Sequence, residues 1–311
     1  MKLILSVILS LIISTANAGL SEAFDALKAG DFKTAIFNIE KEIEKSEDDT
    51  FKPFLHRMLA RTYYLAPDDI DNNYKLAFKH YKTSIETFDA SAHYRIGFMH
   101  YTGRGTDQNF VKAREHFEQS IKYAEMENSL WLLGKLYLHG QGVDKDFDKA
   151  IEYFERADAI ESANAQFELG HIYEYGKGIS ASIPRALYYY ERAAKQGDAD
   201  AQYKIDIHTG KISSKNRNLD FESALDYSYG FTVDIDIDKA IEFYKKAADK
   251  GDSTSVYNIG FLIDSFSTVK RNTEENEYYK KAAEMGNVYA QTVLSSNYYA
   301  GVGVEMDRAK S

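Results

Sequence analysis

The sequence predicts an all-α protein, a right-handed α-solenoid superhelix of helix-turn-helix repeats. Three observations carry this expectation. A two-helix pattern with a Gly-x-Gly turn between its halves recurs at a spacing near 36 residues, and fixed-period self-similarity is the signature of a repeat array. Within each half, apolar residues recur at i, i+4 and i+8, as Ala165, Leu169 and Tyr173 do, which is helical periodicity. The 311 residues include only 3 prolines, a composition that favours long helices over loop-rich β structure.

In chain order, residues 1–18 read as a secretory signal peptide. Lys2 gives a short basic start, Leu3–Ile13 an apolar run, and Ala16-Asn17-Ala18 a small-residue cleavage site. The run is shorter than the roughly 20 residues that span a bilayer. The expected compartment is therefore the periplasm or the exterior, or a secretory lumen in a eukaryote. Cysteine is absent. That removes disulfides, thiolate metal sites, cysteine nucleophiles and a lipid anchor at the cleavage site, and leaves packing to hold the array. The formal net charge of −10 becomes −11 once Lys2 leaves with the leader. This argues against nucleic acid or an anionic membrane surface as default partners and leaves proteins or basic ligands.

Residues 19–90 read as N-terminal helix pairs. Leu20, Phe24 and Leu27 form one apolar stripe, Ala29-Gly30 closes that helix, and Asp31 caps the next, which carries Ala35, Ile36, Ile39 and Ile43. A second pair carries Leu55, Leu59 and Tyr63, breaks at Pro67-Asp68-Asp69, restarts at Asn73 and continues through Ala77, Phe78, Tyr81 and Ile85.

From 91 to 311 the period governs. Ala77, Ala113, Ala150, Ala186 and Ala240 hold one register of the second helices; Gly97, Gly134, Gly170 and Gly260 hold the middle of the first. A mid-helix glycine costs about 1 kcal/mol against alanine, so its return at one register implies that two helices approach closely there. Capping residue types stand four positions before those alanines, at Asn73, Asn109, Asp146, Ser182 and Asp236, with Asp307 in the same register of the last unit. Gly197, Gly251 and Gly286 occupy helix-terminating positions.

Two irregularities interrupt the array. The interval from Ala186 to Ala240 is about half a period too long; residues 206–224 read as an insertion, either looped or one additional helix, with Asp206 in place of the glycine. The unit at 255–286 slips by one residue between its cap, Asn272, and Ala282-Ala283. The last repeat, 290–311, is half a unit, so Val293, Leu294 and Tyr298 are expected to be partly uncovered. Truncation, self-association through this half-repeat, or a docked partner would each account for that.

The units Leu130–Ala157, Ala165–Asp198 and Val233–Asp252 follow the pattern A-x-x-x-L-G-x-x-Y-x-x-G-x-G-V-x-x-D-x-x-K-A-x-x-Y-Y-x-x-A-A-x-x-G-D, with weaker copies at Ala92–Ile121, Ser255–Asn287 and Ala290–Asp307. This pattern resembles the Sel-one-like repeat (SLR), a relative of the tetratricopeptide repeat, and covers about two-thirds of the chain. The resemblance implies an α-solenoid with a concave binding face, used as an adaptor in protein complexes. For secreted bacterial members it implies host interaction or envelope signalling. Cysteine-rich secreted relatives are credited with β-lactam handling, and a cell-wall or β-lactam hydrolase is the alternative reading; this chain lacks their paired cysteines.

No catalytic, metal or cofactor site is expected. The Gly-x-Gly turns follow helices and precede no Gly-Lys-Ser/Thr, unlike phosphate loops. Ser267-Thr-Val-Lys270 matches Ser-x-x-Lys, but the Ser-Asp-Asn and Lys-Thr-Gly partner motifs are missing. His139 and His171, near the turn ends of adjacent first helices, could with Glu168 ligate a divalent metal, but read better as solvated face residues. Of the paired aromatics on second helices, one of each pair is expected inside, with Tyr188 or Tyr189 left outward. The candidate binding stripe lies on the first helices, at −2, +1 and +5 from the glycine: Arg95 and Phe98; Leu132, Lys135 and His139; Glu168, His171 and Tyr175; Asn258 and Phe261. These positions vary while the packing face repeats. They are the expected contacts for a protein or an extended peptide.

Overall fold

The computed structural model describes residues 18–66, 73–85, 89–213, 216–230, 232–266 and 274–300. All regular structure among them is helical. Five hairpins come first: α1 (Ala18–Lys28) with α2 (Phe32–Lys45), α3 (Lys52–Leu65) with α4 (Asn73–Ser84), α5 (Ala90–Thr102) with α6 (Phe110–Tyr123), α7 (Glu127–His139) with α8 (Phe147–Asp158), and α9 (Ala163–Tyr175) with α10 (Ile183–Lys195). Then come α11 (Ala199–His208), α12 (Leu219–Tyr229) with α13 (Ile237–Ala248), α14 (Ser253–Phe266) with α15 (Glu274–Glu284), and α16 (Val288–Ala300). Consecutive helices pack on one another from α1 to α11 and again from α12 to α16. The result is an α-solenoid whose core lies between its two helix layers as a series of buried clusters.

The recurring glycines are contact points. A Cβ on Gly97, Gly134 or Gly170 would come within 2.7, 2.5 or 2.4 Å of the ring of Phe117, Phe154 or Tyr190. Those rings are 0% exposed, so they have nowhere to retreat. Tyr279 covers Gly260 in the same way at 2.9 Å, one residue early, as the slip in that unit requires. In the irregular unit Tyr244 supplies the ring, and the residue in register on its partner helix is Ala224, in the same buried cluster. The glycine register therefore falls at Ala224 and not at Asp206. The surplus half-period is accommodated by α11, which packs on α10, while α12 becomes the partner of α13.

The second glycine of each turn has a separate task. At Gly105, Gly142 and Gly178 the backbone is left-handed, and a Cβ would fall 2.3 Å from the Tyr74 carbonyl oxygen, 2.6 Å from the Phe110 backbone or 2.4 Å from Phe147 Cβ. Each turn thus rests on the start of the second helix of the preceding repeat. Asn109, Asp146 and Asp236 accept capping bonds of 3.0 Å from the backbone N–H three residues on; Ser182 holds the cap position without a side-chain bond. One aromatic of each pair is buried, at Phe154, Tyr190, Tyr244 and Tyr279, and Tyr188 is 55% exposed. Leu294 is 8% exposed, while Val293 and Tyr298 are half-buried. The leader up to residue 17, the Pro67-Asp68-Asp69 break, Ser267–Lys270, Asn272, Gly301, Gly303 and Asp307 lie outside the described residues.

Candidate inner-face pocket

Arg104, the middle residue of the Gly103-Arg104-Gly105 turn, is 2% exposed. It donates to the hydroxyl of Tyr64 at 3.4 Å and to the carbonyls of Ile263, at 3.5 Å, and Asp264. Those carbonyls belong to the last turn of α14, where the helix leaves them without internal partners and where a cation is favoured. The contact joins residues 160 apart in sequence. It shows that the solenoid curls until its early and late repeats meet across the inner face.

That curl determines where the candidate stripe lies. The expected solvated character of Glu168 and His171 is corrected: they are 0% and 1% exposed, and Lys135 is 3% exposed. His139 is half-buried against Gly230. The stripe faces neighbouring helices because adjacent first helices crowd together on the inside of a tight curve. Leu132 is core. Phe98 packs beside that core, and Arg95 lies over the rings of Tyr64 and Tyr94 at 5.4 and 5.3 Å. His171 is enclosed by Phe167, Tyr175 and Tyr190, with ring centroids 4.6, 5.7 and 5.4 Å away. Tyr175, 41% exposed, is the most accessible of the set. Its hydroxyl accepts from Lys204 at 3.2 Å.

Lys135 and Glu168 form a buried pair, Nζ to Oε1 3.9 Å. The ammonium lies over the rings of Trp131 and Tyr229, at 5.2 and 5.4 Å. Burial lowers the Lys135 pKa, with the Glu168 charge opposing. Burial likewise pushes Glu168 up to about 7, against the pull of Lys135. A second network centres on Glu174, which accepts from Tyr190 at 2.5 Å and lies 3.3 Å from Lys204 and 3.2 Å from His208. Among the described residues, no group of three or more His, Asp or Glu is arranged to hold a metal ion.

Lys135, Asn258 and Phe261, drawn from α7 and α14, line one small pocket of about 30 Å³ together with Trp131, Asp200 and Tyr229. The other seven candidates lie around it without entering it. Asp200, 6% exposed, accepts from Asn258 at 2.9 Å and from the Tyr229 hydroxyl at 3.2 Å. Its pKa is pushed up to about 7, first by burial and then by the charge of Asp198. Asp198 caps α11 by accepting from Ala201 N at 2.8 Å, and burial raises it to about 6. Sequence reasoning missed Trp131, Asn164, Asp198, Asp200 and Tyr229. The one usable signal was the Asp-x-Asp pair at the start of α11, of which capping needs only the first.

These features define a class: helix-hairpin repeats stacked around a buried, polar-lined inner face. The Sel1 repeat model matches residues 56–86, 90–122, 128–157, 163–198, 224–252 and 276–287, more than half of the chain. The chain belongs to the Sel1 repeat family, whose members are generally protein-interaction adaptors. The structure of c5321, a protective antigen present in uropathogenic Escherichia coli strains and displaying an SLR fold, aligns over 88% of this chain and 62% of its own, with 20% identity and a TM-score of 0.52. The chain thus spans less than two-thirds of that protein's length. A Sel1 repeat protein from Oxalobacter formigenes aligns over 85% of this chain and 99% of its own, with 22% identity and a TM-score of 0.52. At these identities the likeness is one of fold. No curated protein sequence matches the chain.

Proposed function

We propose that the chain is an exported adaptor that holds a protein segment or extended peptide along its inner face, in host interaction or envelope signalling. The observation that carries the reading is the pocket where Lys135, Asn258 and Phe261 converge with Trp131, Asp200 and Tyr229 from separate repeats. A preformed pocket of this kind draws affinity from its contacts with little ordering cost. The leader pattern at residues 1–18 supports export, and the family supports the adaptor role.

The test has two arms. Residues 1–18 fused to a periplasmic reporter should direct its export, and retention in the cytoplasm would remove the export claim. For binding, the mature chain and its Phe261→Ala variant are used to capture partners from the native compartment. A partner retained by the first and lost by the second supports the reading; equal capture by both would place binding elsewhere.

A further inference from the structure

The pocket also carries information about what it selects. Asp198 and Asp200 stand at the start of α11 and line a second, more open pocket of about 90 Å³, walled by Tyr229, Tyr257 and Phe261 with Asn164 at its side. Asp200 lines both openings. Its hydrogen-bond donors are neutral, the Tyr229 hydroxyl and the Asn258 amide, and Asp198 accepts from backbone. Among the described residues, no Lys, Arg or His forms an ion pair with either carboxylate. Two neighbouring acidic groups, Asp200 buried and Asp198 half-buried, thus stand beside aromatic rings without an ion pair to a cation of the described chain. Carboxylates and ring faces both attract an ammonium or guanidinium, more strongly when water is excluded.

An independent feature points into the same space. Lys135 is 3% exposed and lines the opening it shares with Asp200. Its nearest carboxylate oxygen, on Glu168, is 3.9 Å away, beyond ordinary hydrogen-bond length. Among the described residues the ammonium makes no hydrogen bond; its contacts are the long pairing with Glu168 and the two rings. A buried ammonium with open donor positions is costly unless an acceptor arrives. The pocket therefore presents acceptors at one end and a donor at the other. An extended peptide with a basic residue supplies the complement, a cationic tip and a nearby carbonyl oxygen.

Resting on the adaptor reading, we propose that this pocket recognises a lysine or arginine in an extended segment of the partner. The side-chain cation sits between Asp198 and Asp200 against Tyr229, Tyr257 and Phe261, and Lys135 donates to a carbonyl oxygen of the same segment. The chain's negative net charge of −10 favours the approach of such a segment.

Trp131 is the single tryptophan of the chain and lines the shared opening, so its emission reports occupancy. The full chain is titrated with acetyl-Gly-Gly-Arg-Gly-Gly-amide and with counterparts carrying citrulline or glutamate in place of arginine. The arginine peptide should shift the emission saturably, and citrulline should bind about tenfold more weakly, since it keeps the shape and loses the charge. Asp200→Asn, its fold checked by circular dichroism, should lose about tenfold for arginine and leave citrulline unchanged. Equal binding of arginine and citrulline, stronger binding of glutamate, or an arginine affinity unmoved by Asp200→Asn would each overturn the proposal. If no peptide binds while Phe261-dependent partner capture persists, the basic-residue proposal fails and the adaptor reading stands; if capture fails as well, both fail.

Discussion

Arg104 donates to the backbone carbonyl of Asp264 across 160 residues of sequence. This relationship makes the solenoid's interior a pocket in place of an open groove. A charged donor on the carbonyls of a helix's last turn is worth about 1.5–3 kcal/mol. Arg104→Ala should lower stability by about that amount and loosen the curl. Small-angle scattering should then record a larger radius of gyration. An unchanged radius would mean that packing alone sets the curvature.

Gly170 and Tyr190 permit a sharper test of the hairpin architecture. Gly170→Ala gains about 1 kcal/mol of helix propensity but places a Cβ 2.4 Å from a ring with no room to move. Overpacking of this kind costs about 1–3 kcal/mol, so the net effect should be destabilising by denaturant unfolding. In a Tyr190→Ala background the clash is gone and the same substitution should stabilise. That reversal of sign separates close approach from any intrinsic need for glycine.

Removing Lys135 leaves Glu168 buried without its cation. Breaking a buried pair costs about 3–5 kcal/mol when the remaining group stays charged. Glu168 already sits at about 7, so it escapes by protonation at low pH. Because its folded pKa lies above the unfolded value, the folded state holds the extra proton, and stability falls as pH rises through about 7. Lys135→Met should therefore lower the melting temperature more at pH 9 than at pH 5. Lys135→Met with Glu168→Leu should remove that pH dependence.

The histidine pairs set the acid side. His56 and His80 lie Nδ1 to Nδ1 at 3.0 Å, and His93 and His116 at 3.1 Å. Burial, then repulsion from the partner ring, lowers His80 and His116 to about 4 from 6.5. Here the unfolded chain takes up the proton first, so stability is intact above about 6.5 and is lost as pH falls from there to about 4. His80→Phe and His116→Phe together should flatten the melting temperature between pH 6.5 and 4. An unchanged slope would assign the acid sensitivity to other groups.

The hairpins and their glycines were legible in the sequence because they are local. Gly134 and Phe154 lie in one repeat, and their register repeats with the period. The inner face was legible only as a stripe of candidates, because its surroundings depend on superhelical curvature, which accumulates over several repeats and has no residue signature of its own. Arg104 carries no sequence signal of its contact for that reason. Glu168 and His171 read as solvated because neither shows in sequence that another first helix lies against it. Asp200 was not singled out, since Asn258, which contacts it, is 58 residues away.

The central claim is that a partner binds inside the curl. The most direct measurement is Trp131 emission during titration with a purified captured partner, with binding followed in parallel by calorimetry in the wild type and Phe261→Ala. The account predicts a saturable emission change that tracks calorimetric binding and an affinity at least about tenfold lower in the variant. Tight calorimetric binding that leaves Trp131 emission unmoved and is indifferent to Phe261→Ala would contradict it.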